Sequence, residues 1–337
     1  LVRVEYHADL KEVQCDPQLA RLLNAQMQHL PFDRLAWWQG LNEHCSLIPL
    51  IAVARDGADI AVLPLQSSGG HLQAFSNWYN FTFRPITSKP EAAPQLLAAI
   101  ARDLGRRVRR VTLSGLPSED GSSDLVADAF RRGGWRVFSA PCDNNHILHV
   151  HKRSYAEYLA ARPGPLRTTL KRKAGKVQIQ IIACFDAEAW DAYEAIYQSS
   201  WKPSEGSPAF LRAFAEAEGA AGRLRLGIAF AEGRPVAAQF WTVDGETAFI
   251  HKLAHLEDAK PISPGTSLSA AMFQHVIDRD GVTLVDFGTG DDAYKRDWME
   301  DVRVRYRLDM LRPANPRNWP LLARRLLGRL APATKRG

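Results

Sequence analysis

Cysteine is scarce in this chain of 337 residues, with only Cys15, Cys45, Cys142 and Cys184. Their separations of 30, 97 and 42 positions leave none of the close pairs that zinc and redox motifs require. They read as reduced thiols of a cytosolic protein, and no metal site is expected. Long apolar runs are missing too. The longest stretch without a charged residue, 60–83, is interrupted by Pro64, Gln66, Gly69, Gly70, His71, Asn77 and Asn80. It cannot present the run of about 20 apolar residues that spans a bilayer, so no integral membrane segment is expected. No charged-then-apolar signal segment opens the chain, although a start at Leu1 instead of Met leaves a removed leader open.

A large excess of one charge is also absent: 43 Lys plus Arg face 37 Asp plus Glu, for a formal net charge of +6. With 46% hydrophobic and 24% charged residues, the composition excludes a disordered or fibrous chain. One core rarely grows past about 250 to 300 residues, so two domains are expected. The positive charge gathers in Arg106 to Arg110, Arg167 to Lys176 and Arg303 to Arg336. Such runs suit nucleic acid, anionic lipid or an anionic substrate, although most are solvated faces.

One internal likeness is present. Leu50 to Leu65 lies over Leu226 to Trp241 at a constant offset of 176 residues. Each segment is an apolar run, an acidic-Gly pair and a second apolar run. Asp56-Gly57 and Glu232-Gly233 mark hairpin turns, because Gly supplies the positive φ that a tight turn demands. The offset favours two related domains, with these segments as equivalent antiparallel hairpins in sheets of like topology.

Periodicity predicts helices at 95–104 and 123–132 and strands at 108–113 and 135–138. A boundary is expected near 140–152, at Pro141-Cys-Asp-Asn-Asn145, followed by a helix that Ser154 N-caps. The second half reads as helices at 187–201 and 208–218, a hairpin at 224–243 and a strand at 247–254. A helix after Ser263-Pro264, a strand at 282–287, a helix after Asp291-Asp292 and a strand at 302–311 complete it.

The segment from Phe249 to Trp298 carries the chemistry, as two strand-loop-helix units with polar residues at the junctions where ligands of α/β sheets gather. Ser263 reads as an N-cap and Pro264 as the first helical residue. Gly265, Thr266 and Ser267 leave the helix start free of bulk, so its N–H groups can approach a pyrophosphate. In the second unit Asp286 ends a buried strand, Gly288 and Gly290 bend the chain, and Asp291 is placed to cap the next helix, with Tyr294 in its first turn. Taken singly, Asp286 can be a satisfied buried carboxylate, Asp291 only a cap and Tyr294 a core aromatic. Their convergence at one sheet edge points instead to a site.

The phrases Lys252-Leu-Ala-His255, Ser263-Pro-Gly-Thr-Ser-Leu268 and Gly290-Asp-Asp-Ala-Tyr-Lys295, together with Arg162-Pro-Gly-Pro-Leu-Arg167 and Ser200-Trp-Lys202, resemble acyltransferases of the GNAT superfamily. The likeness is to the CelD-like branch tied to bacterial polysaccharide biosynthesis, which is related to the Fem-type aminoacyltransferases. It covers residues 150–312, and reaches the first half only through the hairpin and Asn77-Trp-Tyr-Asn80. Ser263-Pro264-Gly265-Thr266-Ser267 departs from the usual superfamily pyrophosphate motif and matches the branch.

The resemblance implies an α/β fold of two GNAT-like halves, each a mixed, mainly antiparallel sheet flanked by helices. Residues 1–150 would form an N-terminal domain without a cofactor site, 151–312 the acyltransferase domain, and 313–337 a basic amphipathic tail. Acetyl-CoA or another acyl-CoA would be the cosubstrate, held by Lys252, Leu253, Ala254, Ser263, Gly265, Thr266 and Ser267. Tyr294 would be the acid, with Asp286 or Asp291 as base. Trp201, Lys202 and His255 would meet the acceptor, a small molecule or a sugar-linked one. The expected function is N-acyl transfer to an amine in cell-envelope or exopolysaccharide metabolism, in the cytoplasm or at the inner face of the membrane. An aminoacyl-tRNA donor, with tRNA as partner, and a non-catalytic binding module are the alternatives. In the tail, leucines at 321, 322, 326, 327 and 330 alternate with arginines at 324, 325 and 329. Residues 319–330 therefore read as a helix that lies on a membrane surface or docks on the protein's own sheet, with docking favoured.

Overall fold

A computed structural model describes residues 1–330, and side chains through residue 325. The first elements are β1 (Arg3–His7), α1 (Leu10–Cys15), α2 (Pro17–Leu22), α3 (Leu35–Cys45), β2 (Pro49–Asp56), β3 (Asp59–Ser68), β4 (His71–Ala74), β5 (Ile86–Thr87), α4 (Ala93–Arg107), β6 (Arg110–Pro117), α5 (Ser122–Arg132) and β7 (Arg136–His149). They continue as α6 (Tyr155–Ala160), α7 (Gly164–Lys173), β8 (Gln178–Ile182), α8 (Ala187–Gln198), α9 (Pro208–Ala220), β9 (Leu224–Ala231), β10 (Arg234–Asp244) and β11 (Thr247–His255). The last are α10 (Pro264–Gln274), β12 (Leu284–Thr289), α11 (Lys295–Trp298), β13 (Asp301–Leu311) and α12 (Trp319–Leu330).

The chain divides into two compact units, one of residues 1–38, 47–142 and 304–337, the other of 39–46 and 143–303. In the first, the strands run β1-β2-β3-β4-β6-β13, and every neighbouring pair is antiparallel except β4 with β6. In the second they run β8-β9-β10-β11-β12-β7, and every pair is antiparallel except β11 with β12. The two units therefore share one topology, with a single parallel pair at the same place. The last strand of each comes from distant chain: β13 pairs with β6 in the first unit, and residues 145–149 of β7 pair with β12 in the second. This exchange explains why the division follows hydrogen-bond ladders and does not fall at residue 150. Residues 140–145, expected as a boundary loop, are strand for the same reason.

Both predicted hairpins form, with different turns. β2 and β3 pair Asp56 with Asp59 around Gly57-Ala58, whereas β9 and β10 pair Ala231 with Arg234 around Glu232-Gly233. In the second turn both loop residues have positive φ, the type I′ form that suits the twist of the strands. In the first unit α4 and α5 lay Leu97, Ile100, Leu104, Val126 and Phe130 on the sheet. In the second, Tyr158 stacks on Phe273, and Phe273 on Trp298 with centroids 4.9 Å apart. Tyr158 also donates its hydroxyl proton to the Trp298 carbonyl at 2.7 Å.

The tail belongs to the first unit. Leu322 of α12 is buried with Phe138 and Leu311, and Arg325 pairs with Asp309 at 2.7 Å. The described part of α12 thus docks on its own sheet. The side chains of Leu326, Leu327, Arg329 and Leu330, and residues 331–337 with the rest of the basic run, lie outside the described residues. No helix among the described residues is long and apolar enough to cross a membrane.

One polar group stands out in the second unit's packing. His251 on β11 stacks with Phe240 at 5.0 Å and meets the edge of Phe214 at 5.2 Å, while its Nε2 is 2.8 Å from Thr242 Oγ1. Burial, and then the nearby charge of Lys252, lower its pKa from 6.5 to about 3. The unfolded chain therefore binds a proton that the folded chain refuses. His251 favours folding fully above about pH 6.5, and this contribution is lost as pH falls toward 3. From about pH 7 to about pH 5 the loss amounts to about 2 kcal/mol. Urea titrations at the two pH values should show His251→Phe losing about that much less stability on acidification than the parent; equal losses would refute the assignment.

Candidate active site

β11 and β12 run side by side for only three residue pairs, Thr247 with Leu284, Ala248 with Val285 and Phe249 with Asp286. Beyond Phe249, β11 continues to His255 along β10, with one shift of register between Phe240 and Trp241. β12 instead bends toward β7, with an irregularity between Asp286 and Thr289. The cause is local. Asp286 is only 6% exposed, and its Oδ1 accepts from the Gly288 N–H at 2.8 Å and from Asn145 Nδ2 of β7 at 2.7 Å. Gly288 and Gly290 take φ of +65° and +96°, which L side chains rarely adopt, so the bend needs glycine. Lys295, 4% exposed, donates Nζ to the Thr289 carbonyl and closes the turn. Burial lowers the pKa of this lysine, against the nearby Asp292, Asp286 and Asp143 carboxylates.

The start of α10 faces the far end of β11. Pro264 is its first residue and Ser263 holds the N-cap position, as expected, but the serine does no side-chain capping. It takes φ +52° and its side chain makes no capping bond, because a 3₁₀ turn over 257–262 runs directly into α10 and leaves Ser263 as the left-handed joint. A Cβ on Gly265 would lie 3.3 Å from His255 Nδ1, so helix start and strand end nearly touch. Gln239 of β10 anchors the helix, donating Nε2 to Ser269 Oγ at 2.7 Å and to the Gly265 carbonyl at 3.3 Å. The first turn of α10 holds no acidic residue, and Gly265, Thr266 and Ser267 are half-buried there.

A polar and aromatic cluster is supplied by α8, the α8–α9 loop, β11 and the turn before α11. The Lys252 ammonium is 2.9 Å from the buried Glu205 carboxylate and 5.4 Å from the centre of the Tyr197 ring. Burial, together with the Glu205 charge and hydrogen bond, pushes the Tyr197 phenol up to about 12. Lys202 Nζ sits 5.4 Å from the Trp201 ring and 5.5 Å from the Tyr294 ring. Trp201 lies against His255 at 4.2 Å, and burial holds the pKa of His255 below the ordinary imidazole range. Burial raises the Tyr294 phenol far above its ordinary value, reinforced by the charge of Asp292 and a hydrogen bond to it. Tyr294 is thus a neutral donor throughout the neutral pH range.

The structure brings together Trp201, Lys202, Lys252, His255 and Tyr294, and sets His255 against Gly265 at the start of α10, while Leu253 packs on the core. Asp286 lies behind them as the pin of the bend. Asp291 stands apart and exposed: its oxygens accept from Arg296 Nη2 at 2.8 Å, and Oδ1 is 3.2 Å from His146 Nε2. Chiefly through the Arg296 bond its pKa lies below the usual carboxylate range. It caps no helix. The expected helix after Asp291-Asp292 is the four-residue α11, which begins at Lys295 with Tyr294 at its cap position. Arg162 is a clamp, hydrogen-bonding Glu300 and lying 4.8 Å from the Tyr158 ring.

Sequence reading missed Tyr197, Glu205, Asp292, Gln239, Asn145 and Lys295. Asp292 and Lys295 lay inside the quoted Gly290–Lys295 phrase, and Tyr197 inside the helix predicted at 187–201. Nothing in the sequence flagged Asn145, which sat in a segment read as linker. Among the described residues no group of three or more His, Cys, Asp or Glu is placed to hold a metal ion.

Residues 164–296 match the family of acetyltransferase (GNAT) domains. No curated protein matches the chain. Among solved structures, the C-terminal domain of an Agrobacterium fabrum protein assigned as a lysylphosphatidylglycerol synthetase is similar over 98% of this chain and 100% of its own, at 14% identity and a TM-score of 0.58. FemX is similar over 90% of this chain and 96% of its own, at 10% identity and a TM-score of 0.59. A tandem GNAT protein from the clavulanic acid biosynthesis pathway is similar over 90% and 98%, at 14% identity and a TM-score of 0.51. At these identities the likeness is one of fold: two GNAT-like halves, each a mixed, mainly antiparallel sheet flanked by helices. The domain match places the acetyltransferase-like segment in the second unit, around the parted strands.

The Glu205–Lys252 pair joins the α8–α9 loop to β11, and both side chains are largely buried. Removing one partner leaves the other charge poorly solvated, whereas removing both does not. In urea unfolding, Lys252→Met should destabilise by about 1–3 kcal/mol, and adding Glu205→Gln should recover most of that loss. Additive effects of the two substitutions would show that the pair is not coupled.

Proposed function

We propose that the second unit is an acyl-CoA-dependent acyltransferase that moves an acyl group to an amine. The parting of β11 from β12 at Phe249–Asp286, with an acid-free helix start at the open end, carries the reading. Such a gap accepts an extended thioester arm, and a helix start of small residues favours the anion at the arm's other end. The residues present fit that ligand. Lys252, Leu253 and Ala254 line one wall, while Ser263, Gly265, Thr266 and Ser267 form the pyrophosphate end. Trp201, Lys202 and His255 frame the acceptor side.

The amine must lose a proton as it attacks the thioester carbonyl, and the departing thiolate must gain one. Tyr294, held neutral by burial, donates to the thiolate. Asp292, hydrogen-bonded to Tyr294, takes the amine's proton and returns it to the phenol, so the pair closes the proton balance. Asp286 acts from behind by fixing the bend that carries them, and the Arg296 pairing leaves Asp291 a weak base. The first unit has no cofactor site in this reading. There β4 ends at Ala74, one residue past its pairing of Gln73 with Thr112, and the Phe83 N–H engages the Gly115 carbonyl three residues further along β6. Cell-envelope or exopolysaccharide metabolism as the setting rests on the CelD-like resemblance. An aminoacyl-tRNA donor is the rival that the fold neighbours keep in view.

Calorimetric titration with acetyl-CoA, and transfer assays with acetyl-CoA and with aminoacyl-tRNA, separate the two; tRNA-dependent transfer without CoA binding would overturn the proposal. Gly265→Val, whose side chain presses on His255 and on the anion site, should weaken CoA binding by at least about tenfold, roughly 1.4 kcal/mol, while leaving a folded protein. Unchanged affinity would remove the pyrophosphate assignment. Tyr294→Phe should keep CoA affinity and lower turnover by about one to three orders of magnitude. If turnover per folded molecule stays normal and only stability falls, Tyr294 is a packing residue.

A further inference from the structure

Three lysines stand in the cluster, and two are committed. Lys252 is paired with Glu205, and Lys295 holds the Thr289 carbonyl. Lys202 differs. No carboxylate oxygen among the described residues lies within 4.0 Å of its Nζ, which rests between the faces of Trp201 and Tyr294. We infer that Lys202 is a self-acylation site, whose ε-amine takes the acyl group from a thioester held between β11 and β12 of the same chain. The inference rests on the acyl-thioester reading of that gap.

Reach is the first argument. A thioester sulfur that meets the Tyr294 hydroxyl is within one side chain of an amine already packed on the Tyr294 ring. A nucleophile held beside a bound thioester reacts as though at very high concentration. Charge is the second. Two π faces hold an ammonium less firmly than a buried carboxylate does. The groups acting on the charge of Lys202 are Asp292, which favours the ammonium, and Lys252, which disfavours it, with His255 and Lys295 also within electrostatic range. Burial outweighs Asp292 and lowers the pKa, so the neutral amine is reached more readily than on an exposed lysine.

In the step, the neutral Lys202 Nζ attacks the carbonyl carbon of the acyl-CoA. The N–C bond forms as the C–S bond breaks, leaving an amide on Lys202 and a thiolate. The proton lost from nitrogen passes to Asp292, and the thiolate takes one from Tyr294, which recovers it from Asp292. No oxidant or reductant enters.

The full chain incubated with acetyl-CoA and followed by intact mass and peptide mapping tests this. One acetyl group should appear on Lys202 at least about tenfold faster than on exposed Lys171, Lys176 or Lys260 of the same molecules. Lys202→Arg should remove the rapid acetylation, and Gly265→Val should slow it in proportion to weakened binding. If calorimetry shows acetyl-CoA binding and Lys202 is acetylated no faster than the exposed lysines, the inference fails and the transferase reading stands. If acetyl-CoA does not bind, that reading fails and the self-acylation with it.

Discussion

A single buried carboxylate makes the gap. Asp286 accepts from a backbone N–H two residues ahead and from Asn145 on the neighbouring strand, and in doing so turns β12 away from β11. An ionised carboxylate in such a place requires this many donors, because an unsatisfied one would be strongly unfavourable. Its bonds are the reason that parallel pairing stops after three residue pairs. The positions of Tyr294, Asp292 and Lys295 follow from that bend, since all three lie within nine residues of it along the chain.

Around the gap, aromatic rings take the place that water or carboxylates would hold elsewhere. Trp201, Tyr197 and Tyr294 offer their faces to Lys202 and Lys252, and the Glu205 carboxylate among them is shielded from solvent. Low local polarity strengthens every remaining interaction and makes each unpaired charge more reactive. The cluster is therefore poised in two senses: tyrosines that stay protonated, and a lysine that gives up its proton more easily than its exposed counterparts.

The two units use one strand order with opposite consequences. In the second, β11 extends six residues beyond its last parallel pair with β12 and forms a wall. In the first, β4 stops after one, and Phe83 engages β6 at Gly115, three residues past the corresponding pair. Equal topology thus carries strands of unequal length beside the parallel pair. The exchange of β7 and β13 ties each sheet to sequence far from the rest of its strands.

Alternation and turn chemistry were enough to read the two hairpins, the α10 start at Pro264, α4 and α5 of the first half and most helices of the second, because these depend on neighbours within a few residues; α1, α2 and α3 were not read. The phrases around Lys252, Gly265 and Tyr294 drew attention to one sheet edge, where the structure brings Lys252, His255 and Tyr294 near Lys202. What sequence could not show was which carboxylate does what. Asp286, Asp291 and Asp292 lie within seven residues of one another, and only the fold decides that the first is a pin on Asn145, the second is spent on Arg296 and the third faces Tyr294. The strand character of 140–145 was hidden for the same reason: its Pro, Asp and Asn residues favour a turn locally, whereas a ladder partner such as Thr289 for Asn145 lies far along the chain.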